Sequence, residues 1–444
     1  MSTETVSKQQ VSALTQLLQL RPGLTEQSDV LESIRDRAEA WVRELAIPTT
    51  RDEAWRFTDL SPLFDVEFHA APFVELSESQ IETCKLPEAP NSRLVFVNGV
   101  YAKSLSDVRA LPDGVFAGSI AELPDDRKAQ LGQYLAQQPG YEEVFTALNT
   151  ASLQDVSIVW VPRGKIVETP LQVMFVAAAR AKASIVQPRC LVVAETNSSL
   201  TLIEEYIVTT EGCPDSGGIP YFSNAVTEVW LHENAEVNHA RLQRDNGTAF
   251  HIGKTAVTQA RNSRYRCTAL TLGAKLSRHN LEVFHVGEGT DTNLNGLTLI
   301  GKTQVADTHS TIVHNHPNGT TNQLHKCIVD HKAHAVFNGR IVVPQAAQMT
   351  NANQLNRNLL LSPKARVNTK PQLEIVADNV KCSHGATVSQ LEADEVFYLQ
   401  SRGLDKATSE NLLVDAFAAE ILQDVPVASL QKTMAQCVAC RVEL

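Results

Sequence analysis

Apolar positions along the chain fall into three regimes of different period. Leu31, Ile34, Ala38, Trp41, Val42 and Leu45 recur at helical spacing until Pro48 stops the run. The first sixty residues therefore predict a helical arm with one face to bury. The stretch RDEAWRFTDL that follows sets Trp55 and Phe57 among Arg51, Glu53 and Arg56, an amphipathic connector. In LVFVNGVY, Asn98-Gly99 separates two apolar runs. A type I′ turn needs positive φ at both central positions, so this pair predicts a β-hairpin. Residues from about 125 to 150 return to helical composition and end near Asn149.

From about Val156 to Val380 helical periodicity nearly vanishes. Short alternating runs such as SLTLIEEYIV, TEVWLHENAEVNHARL and NRNLLLSPKARVN are broken by turn signals. These lie at Glu233-Asn234, Asn262-Ser263, Gly273, Gly287, Gly301, Gly319, Gly339 and Pro363. One small sandwich does not use so many strands; a stacked parallel β-helix, whose turns contact only their neighbours, does. After Cys382 the helical pattern returns. Ser389 and Glu392 read as a capping box, with a helix to Arg402 and Gly403 as its stop. Asp405 reads as the cap of a second helix whose stripe is Leu412, Leu413, Ala416, Phe417 and Ile421, before Pro426. The expected architecture is mainly β: a helical and mixed N-terminal region (1–150), a β-helix core (151–380) and a C-terminal helical region (381–444).

Composition narrows the function classes. The 444 residues are 43% hydrophobic and 20% charged, with net charge −11 and no basic run. Binding nucleic acid needs clustered Lys and Arg, so none is expected. No stretch of about 18 apolar residues predicts a membrane helix, and MSTETVSKQQ lacks a secretory pattern. Of eight cysteines, six are isolated and show no framework spacing, which suits a reducing cytoplasm.

Four stretches invite chemistry. Gly296-Leu-Thr-Leu-Ile-Gly301-Lys302-Thr303 fits the P-loop pattern letter for letter. Its middle residues prefer a strand, and so do those after it, so the helix a phosphate loop requires is missing and no nucleotide site is expected. His309, His314, His316, His325, His331 and His334 cluster, and His314 and His316 would share a strand face as a metal pair. No carboxylate stands at a ligand offset, strand spacing alone is a weak metal signal, and the strand faces and turns of a solenoid account for the cluster. Cys437-Val-Ala-Cys440 has no second such pair and reads as incidental tail. In KCSHGA, Cys382 and His384 have period-2 spacing and aim the same way from an extended backbone. Two ligands are too few for a metal, though others could come from another subunit, and no oxyanion turn or orienting acid serves a nucleophile. Two other classes stay open: a β-helix enzyme acting on polysaccharide, which would need paired carboxylates, and a stand-alone metalloenzyme using His314 and His316.

Residues 333–425 carry a resemblance. The FNG turn, the run TNANQLNRNLLLS, the P-x-LEI strand, CSHGAT and FYL-x-SRG occur together and in order, and the segment closely resembles the C-terminal core of the SufB/SufD family of iron–sulfur cluster assembly proteins. RDEAWRFTDL looks like the family's E-x-W-(K/R)-(Y/F)-T element. Ser-His-Gly-Ala, in place of the Glu-His-Glu-Ala typical of SufB, and the ending AFAAEIL are similar to the SufD branch. Asn379 stands where the family often has Asp, so any role of that acid is not carried over. The resemblance implies a right-handed parallel β-helix that pairs with a SufB-like protein, and C-terminal helices that dock a SufC-like ATPase, to which ATP hydrolysis belongs. It implies a non-catalytic scaffold. His384 would serve a transient iron–sulfur cluster shared with SufB, with Cys382 as support. Tyr398, Arg402 and Phe417 become candidates for the ATPase-facing surface. No cofactor is expected to stay on the single chain; the family leaves room for a flavin in the complex and for a homodimer of the free chain.

Overall fold

The computed structural model describes residues 13–24, 28–178, 181–209 and 218–442. Helix α1, Asp29–Glu44, forms where the periodicity predicts it and buries Leu31, Ile34, Ala38 and Val42, while Trp41 and Leu45 are half-buried. It packs on α2, Val144–Ala151, whose every residue is buried. The helical composition before α2 yields only a short helix, Asp125–Lys128, and a 3₁₀ turn, Leu131–Gln133. The arm joins the body through one apolar cluster in which Val42, Trp55 and Phe145 meet Phe222 and Phe250. The predicted hairpin is present: Arg93–Val97 and Val100–Tyr101 pair antiparallel, with φ of 51° at Asn98 and 83° at Gly99.

The body is a parallel β-solenoid of about eight turns. From strand Arg189–Ala194 onward, consecutive strands alternate between an 11-stranded and a 10-stranded sheet, the first and second sheets below. Ten-residue strands stack in register, so that Val257, Val283, Ile312 and Ile341 form one apolar ladder inside. Each rung restarts roughly thirty positions after the last, within the range for stacked repeats. Asn234, Asn262 and Asn318 occupy corners at positive φ, which asparagine tolerates because its short polar side chain bonds locally. Gly339 is no corner. It lies within strand His334–Val343, and a Cβ there would stand 2.2 Å from Gln354 Nε2. The glycine makes room for an amide inside the solenoid.

The interior is not purely apolar. Fully buried Glu204 accepts hydrogen bonds from Tyr206 Oη (2.9 Å) and Thr227 and lies 3.1 Å from His239 Nε2. Asp245 accepts from Tyr221 Oη and Gln243 Nε2, each at 2.6 Å, and meets His251 Nδ1 at 3.0 Å. Arg241 Nη2 lies 2.7 Å from His251 Nε2. Accepting from Arg241 at Nε2 requires a neutral imidazole, and burial does lower the His251 pKa. Buried polar groups inside the solenoid are thus largely paired with one another.

The two ends differ. At the N-terminal end, Phe116–Ser119 and the hairpin add antiparallel strands. At the other, Arg366–Ile375 and Lys381–Ser389 are the last parallel strands of their sheets; the first is half-buried to exposed and the second largely exposed. The solenoid therefore extends through Ser389, and the helical region starts at 393 rather than 381. Ser389 does not cap a helix; it pairs with Leu359 in the sheet, and Glu392 is the N-cap residue. Three helices follow: α3, Ala393–Ser401; α4, Lys406–Leu422; and α5, Ala428–Val442. Gly403 has a φ of 95° after α3. Asp405 caps α4, accepting from Thr408 N at 2.8 Å. The expected stripe on α4 is partly out of phase. Leu412 and Ala416 are exposed; Ile421 is buried and Phe417 half-buried as expected, but the rest of the buried face is Val414, Ala418 and Leu422, against Leu242, Leu270, Leu297 and Ile328 on the outer face of the second sheet. Cys437, expected in an incidental tail, lies half-buried in α5 against the same cluster; the side chain of Cys440 lies outside the described residues.

Candidate functional site

The open end of the solenoid presents an inward-facing row that no further rung covers. In the second sheet Gln323, Gln354 and His384 share one register position on successive strands. Gln323 and Gln354 are buried; Gln354 Nε2 donates to Gln323 Oε1 (2.8 Å), and Gln323 exchanges hydrogen bonds with Ser310 Oγ. His384 occupies the same position one rung later and is exposed. It has no hydrogen-bond partner among the described residues, so its imidazole is available to something outside the chain. Ser383, on the opposite face, is held by Asn353 Oδ1 at 2.8 Å.

Cys382 and His384 do point to one side, as their spacing predicts. Their surroundings differ. Cys382 is half-buried and packs against the main core, and burial pushes its thiol pKa up. A thiol so placed is a weaker nucleophile and metal ligand than an exposed thiolate. Nearby, the inward-facing Val388 is 52% exposed, and Ile375 and the adjoining Val376 are 41% and 63% exposed. Apolar side chains aimed where a core would continue, beside strands with unpaired edges, make this end suited to another chain.

The other candidates separate. Tyr398 is exposed on α3, with the Arg402 guanidinium 5.2 Å from its ring centre. Phe417 instead faces the solenoid: Lys326 Nζ donates to its carbonyl at 2.8 Å and lies 4.5 Å from its ring centre. Sequence reasoning passed over Phe397, which is 70% exposed beside Tyr398. Adjacent positions on an α-helix point about 100° apart, so two neighbouring aromatics on a helix of nine residues signal that one can face outward.

The histidine cluster is dispersed. The strand carrying His314 ends there, so His316 lies in an exposed corner and the two do not share a face. His314 instead meets His285 inside the solenoid, Nδ1 to Nδ1 at 3.0 Å, and each bonds a threonine through Nε2. His325 stacks on Phe337 inside, whereas His309, beside Asp307, and His334 lie on the outer face. Among the described residues no three His, Cys, Asp or Glu side chains are grouped to hold a metal. In GLTLIGKT, Gly296 to Ile300 lie in strand Asp291–Ile300 and Lys302 is a corner at φ 54°, with no helix behind it.

Comparison with known proteins places this geometry. Residues 175–417 match the family described as SUF system FeS cluster assembly, SufBD core domain, and residues 14–173 match the SufBD protein N-terminal region. A SufBD family iron–sulfur cluster assembly protein of Synechocystis is 51% identical over 94% of this chain and 92% of its own length. The chloroplastic protein ABCI7 of Arabidopsis thaliana is 33% identical over 89% of this chain and 83% of its own. The iron–sulfur cluster assembly protein SufD of Escherichia coli is 32% identical over 85% of each chain. A match along almost the whole length, including both the solenoid and the arm, means that the chain belongs to the SufBD family of iron–sulfur cluster assembly proteins.

Proposed function

We propose that this protein is a SufD-type scaffold subunit, whose solenoid end pairs with a SufB-like partner to form a site for a nascent iron–sulfur cluster. The observation that carries the reading is the terminal rung. His384 stands unpartnered where the preceding rung holds buried Gln354, among exposed apolar side chains and unpaired strand edges. Strand addition by a second chain would satisfy those edges and cover Ile375 and Val388. The cluster is cargo. Iron takes thiolate or imidazole ligands, so His384 supplies one donor and the partner supplies the rest, a thiolate included. Cys382 shapes the floor under His384. A site divided between two chains opens when they move apart, which lets a labile cluster leave.

The exposed Phe397, Tyr398 and Arg402 on α3 form the surface for a SufC-like ATPase; ATP hydrolysis belongs to that partner, and this chain performs no catalysis and works in the cytoplasm. Phe417 supports this surface by fixing α4 to the solenoid. The experiment is co-expression of the chain with SufB- and SufC-like proteins of its own organism, followed by anaerobic iron and sulfide analysis. His384→Ala lowers cluster content while the complex still assembles; unchanged iron loading removes His384 from the site. Tyr398→Ala with Arg402→Glu releases the ATPase but leaves the SufB pairing intact, and retained ATPase binding refutes the α3 assignment.

A further inference from the structure

The segment Glu53-Ala-Trp-Arg-Phe-Thr58 does two jobs. Trp55 and Thr58 anchor the arm. Trp55 is buried with the Arg278 guanidinium 3.8 Å from its ring centre, Thr58 Oγ1 donates to Asp307 Oδ2 at 2.6 Å, and Arg278 Nη1 donates to the carbonyl of Ala54 at 2.7 Å. Those contacts suffice to hold the segment on the outer face of the first sheet. They make no use of Glu53, Arg56 or Phe57, which roof a cleft of about 170 Å³ above His309, Asn338, Asn368 and Lys370.

The chemistry of that cleft is donor-rich. Asn368 Oδ1 lies 2.7 Å from His334 Nε2, which orients the amide and leaves its N–H groups to donate. Among the described residues, neither the Arg56 guanidinium nor the Asn338 side chain has a hydrogen-bond partner. Asp307, at the back, is neutralised by the Arg278 ion pair, and His309 Nε2 lies 3.0 Å from its other oxygen. Glu53 and Lys370 form an ion pair at the rim. Among the described residues that line the cleft, Arg56 and Lys370 share the single carboxylate of Glu53, which leaves an excess of positive charge, and Arg56 lies 5.6 Å from the centre of the Phe57 ring. A cation beside an aromatic face, with amide donors opposite, recognises an anion carried on a flat apolar body.

The geometry points to a binding site for a small aromatic anion, a carboxylate or a phosphomonoester, between the arm and the outer wall of the solenoid. Its charged group lies between Arg56 and the Asn338 and Asn368 amides, and its ring lies against Phe57. The cleft is on the wall of the solenoid and shares no side chain with the exposed row at His384 and Cys382.

Calorimetric titration of the full-length chain tests this, with phenyl phosphate, benzoate and uncharged benzamide as probes. Saturable one-to-one binding is expected for at least one of the two anions, and the tighter of them identifies the charged group. Benzamide should bind at least about tenfold more weakly, the scale of losing a charge-assisted hydrogen bond. Arg56→Ala and Asn338→Ala, both at partly exposed positions, should each weaken the anion about tenfold without lowering the melting temperature. Absence of saturable binding by both anions overturns the proposal, as does binding that neither substitution changes.

Discussion

Asp307→Asn isolates the contact that joins the arm to the solenoid. Burial alone would push the Asp307 pKa up, but the Arg278 charge, His309 and the Thr58 hydroxyl outweigh it and bring the carboxyl from 3.8 down to about 2. A depression of nearly two units corresponds to about 2 kcal/mol favouring the ionised, docked state at neutral pH. The amide keeps the shape and loses the charge, leaving the Arg278 guanidinium buried without its carboxylate. Because a solenoid need not unfold in one step, the local opening of the arm is the quantity to measure. Hydrogen exchange of the Trp55 and Thr58 amides, which bond to the carbonyls of Asp52 and Trp55, reports it. At pH 7 exchange in Asp307→Asn should be faster by roughly 30-fold, the equivalent of about 2 kcal/mol. The sign with pH follows from the depressed carboxyl: its contribution is complete above 3.8 and lost as pH falls towards 2. The difference between the two proteins, compared at equal pH, should therefore shrink across that window. Equal exchange at pH 7, or a difference that persists unchanged at pH 2, refutes the assignment of arm docking to this pair.

Three further outcomes follow from the interior and the tail. Gly296→Ala places a Cβ 2.2 Å from His325 Nδ1 and should destabilise the chain by about 1–3 kcal/mol in urea titration, with recovery when His325 is also replaced by Ser. Lys326→Ala removes the hydrogen bond to the Phe417 carbonyl and the ion pair to Glu420, so protease cleavage within 406–442 should accelerate while the β circular dichroism signal is retained. Burial lowers the His325 pKa to about 4, so the unfolded chain takes up a proton near 6.5 that the folded chain refuses. Stability should then fall as pH drops from 6.5 to 4, by about 3 kcal/mol from this residue, and His325→Gln should flatten that slope in urea midpoints.

Periodic features were legible in the sequence because burial imposes them directly. The α1 stripe, the Asn98-Gly99 turn and the long β region needed no tertiary knowledge. Where two physical roles share one residue type, the sequence left the choice open. Gly339 read as a corner because glycine marks turns, yet it makes space for the Gln354 amide. Ser389 and Glu392 have the spacing of a cap, but strand pairing with Leu359 holds Ser389 extended and delays the helix. On α4, Leu412, Leu413 and Val414 are consecutive apolar residues, so the stripe could be drawn in more than one phase. The leucine row on the second sheet decided it. The alternation that put His314 and His316 on one face stops at His314, where the strand ends. The docking of Trp55 and Thr58 joins residues more than two hundred positions apart, for which a single sequence carries no local signal.

The candidate cluster site follows the same logic from the other direction. In a stacked fold each inward position is defined by the rung above it as much as by its own side chain. Gln354 is buried because His384 lies over it; His384 is exposed because the chain turns away into α3 rather than adding another rung. Had one more strand followed Ser389, the imidazole would be covered as Gln354 is. What makes it available is the termination of the repeat, together with a first sheet that stops at the neighbouring strand Arg366–Ile375. The helices do not cap the opening; they pack on the outer wall instead. An end closed by antiparallel strands at one side and left open at the other gives the molecule a direction, and the inward-facing row that ends at His384 opens at that uncovered end.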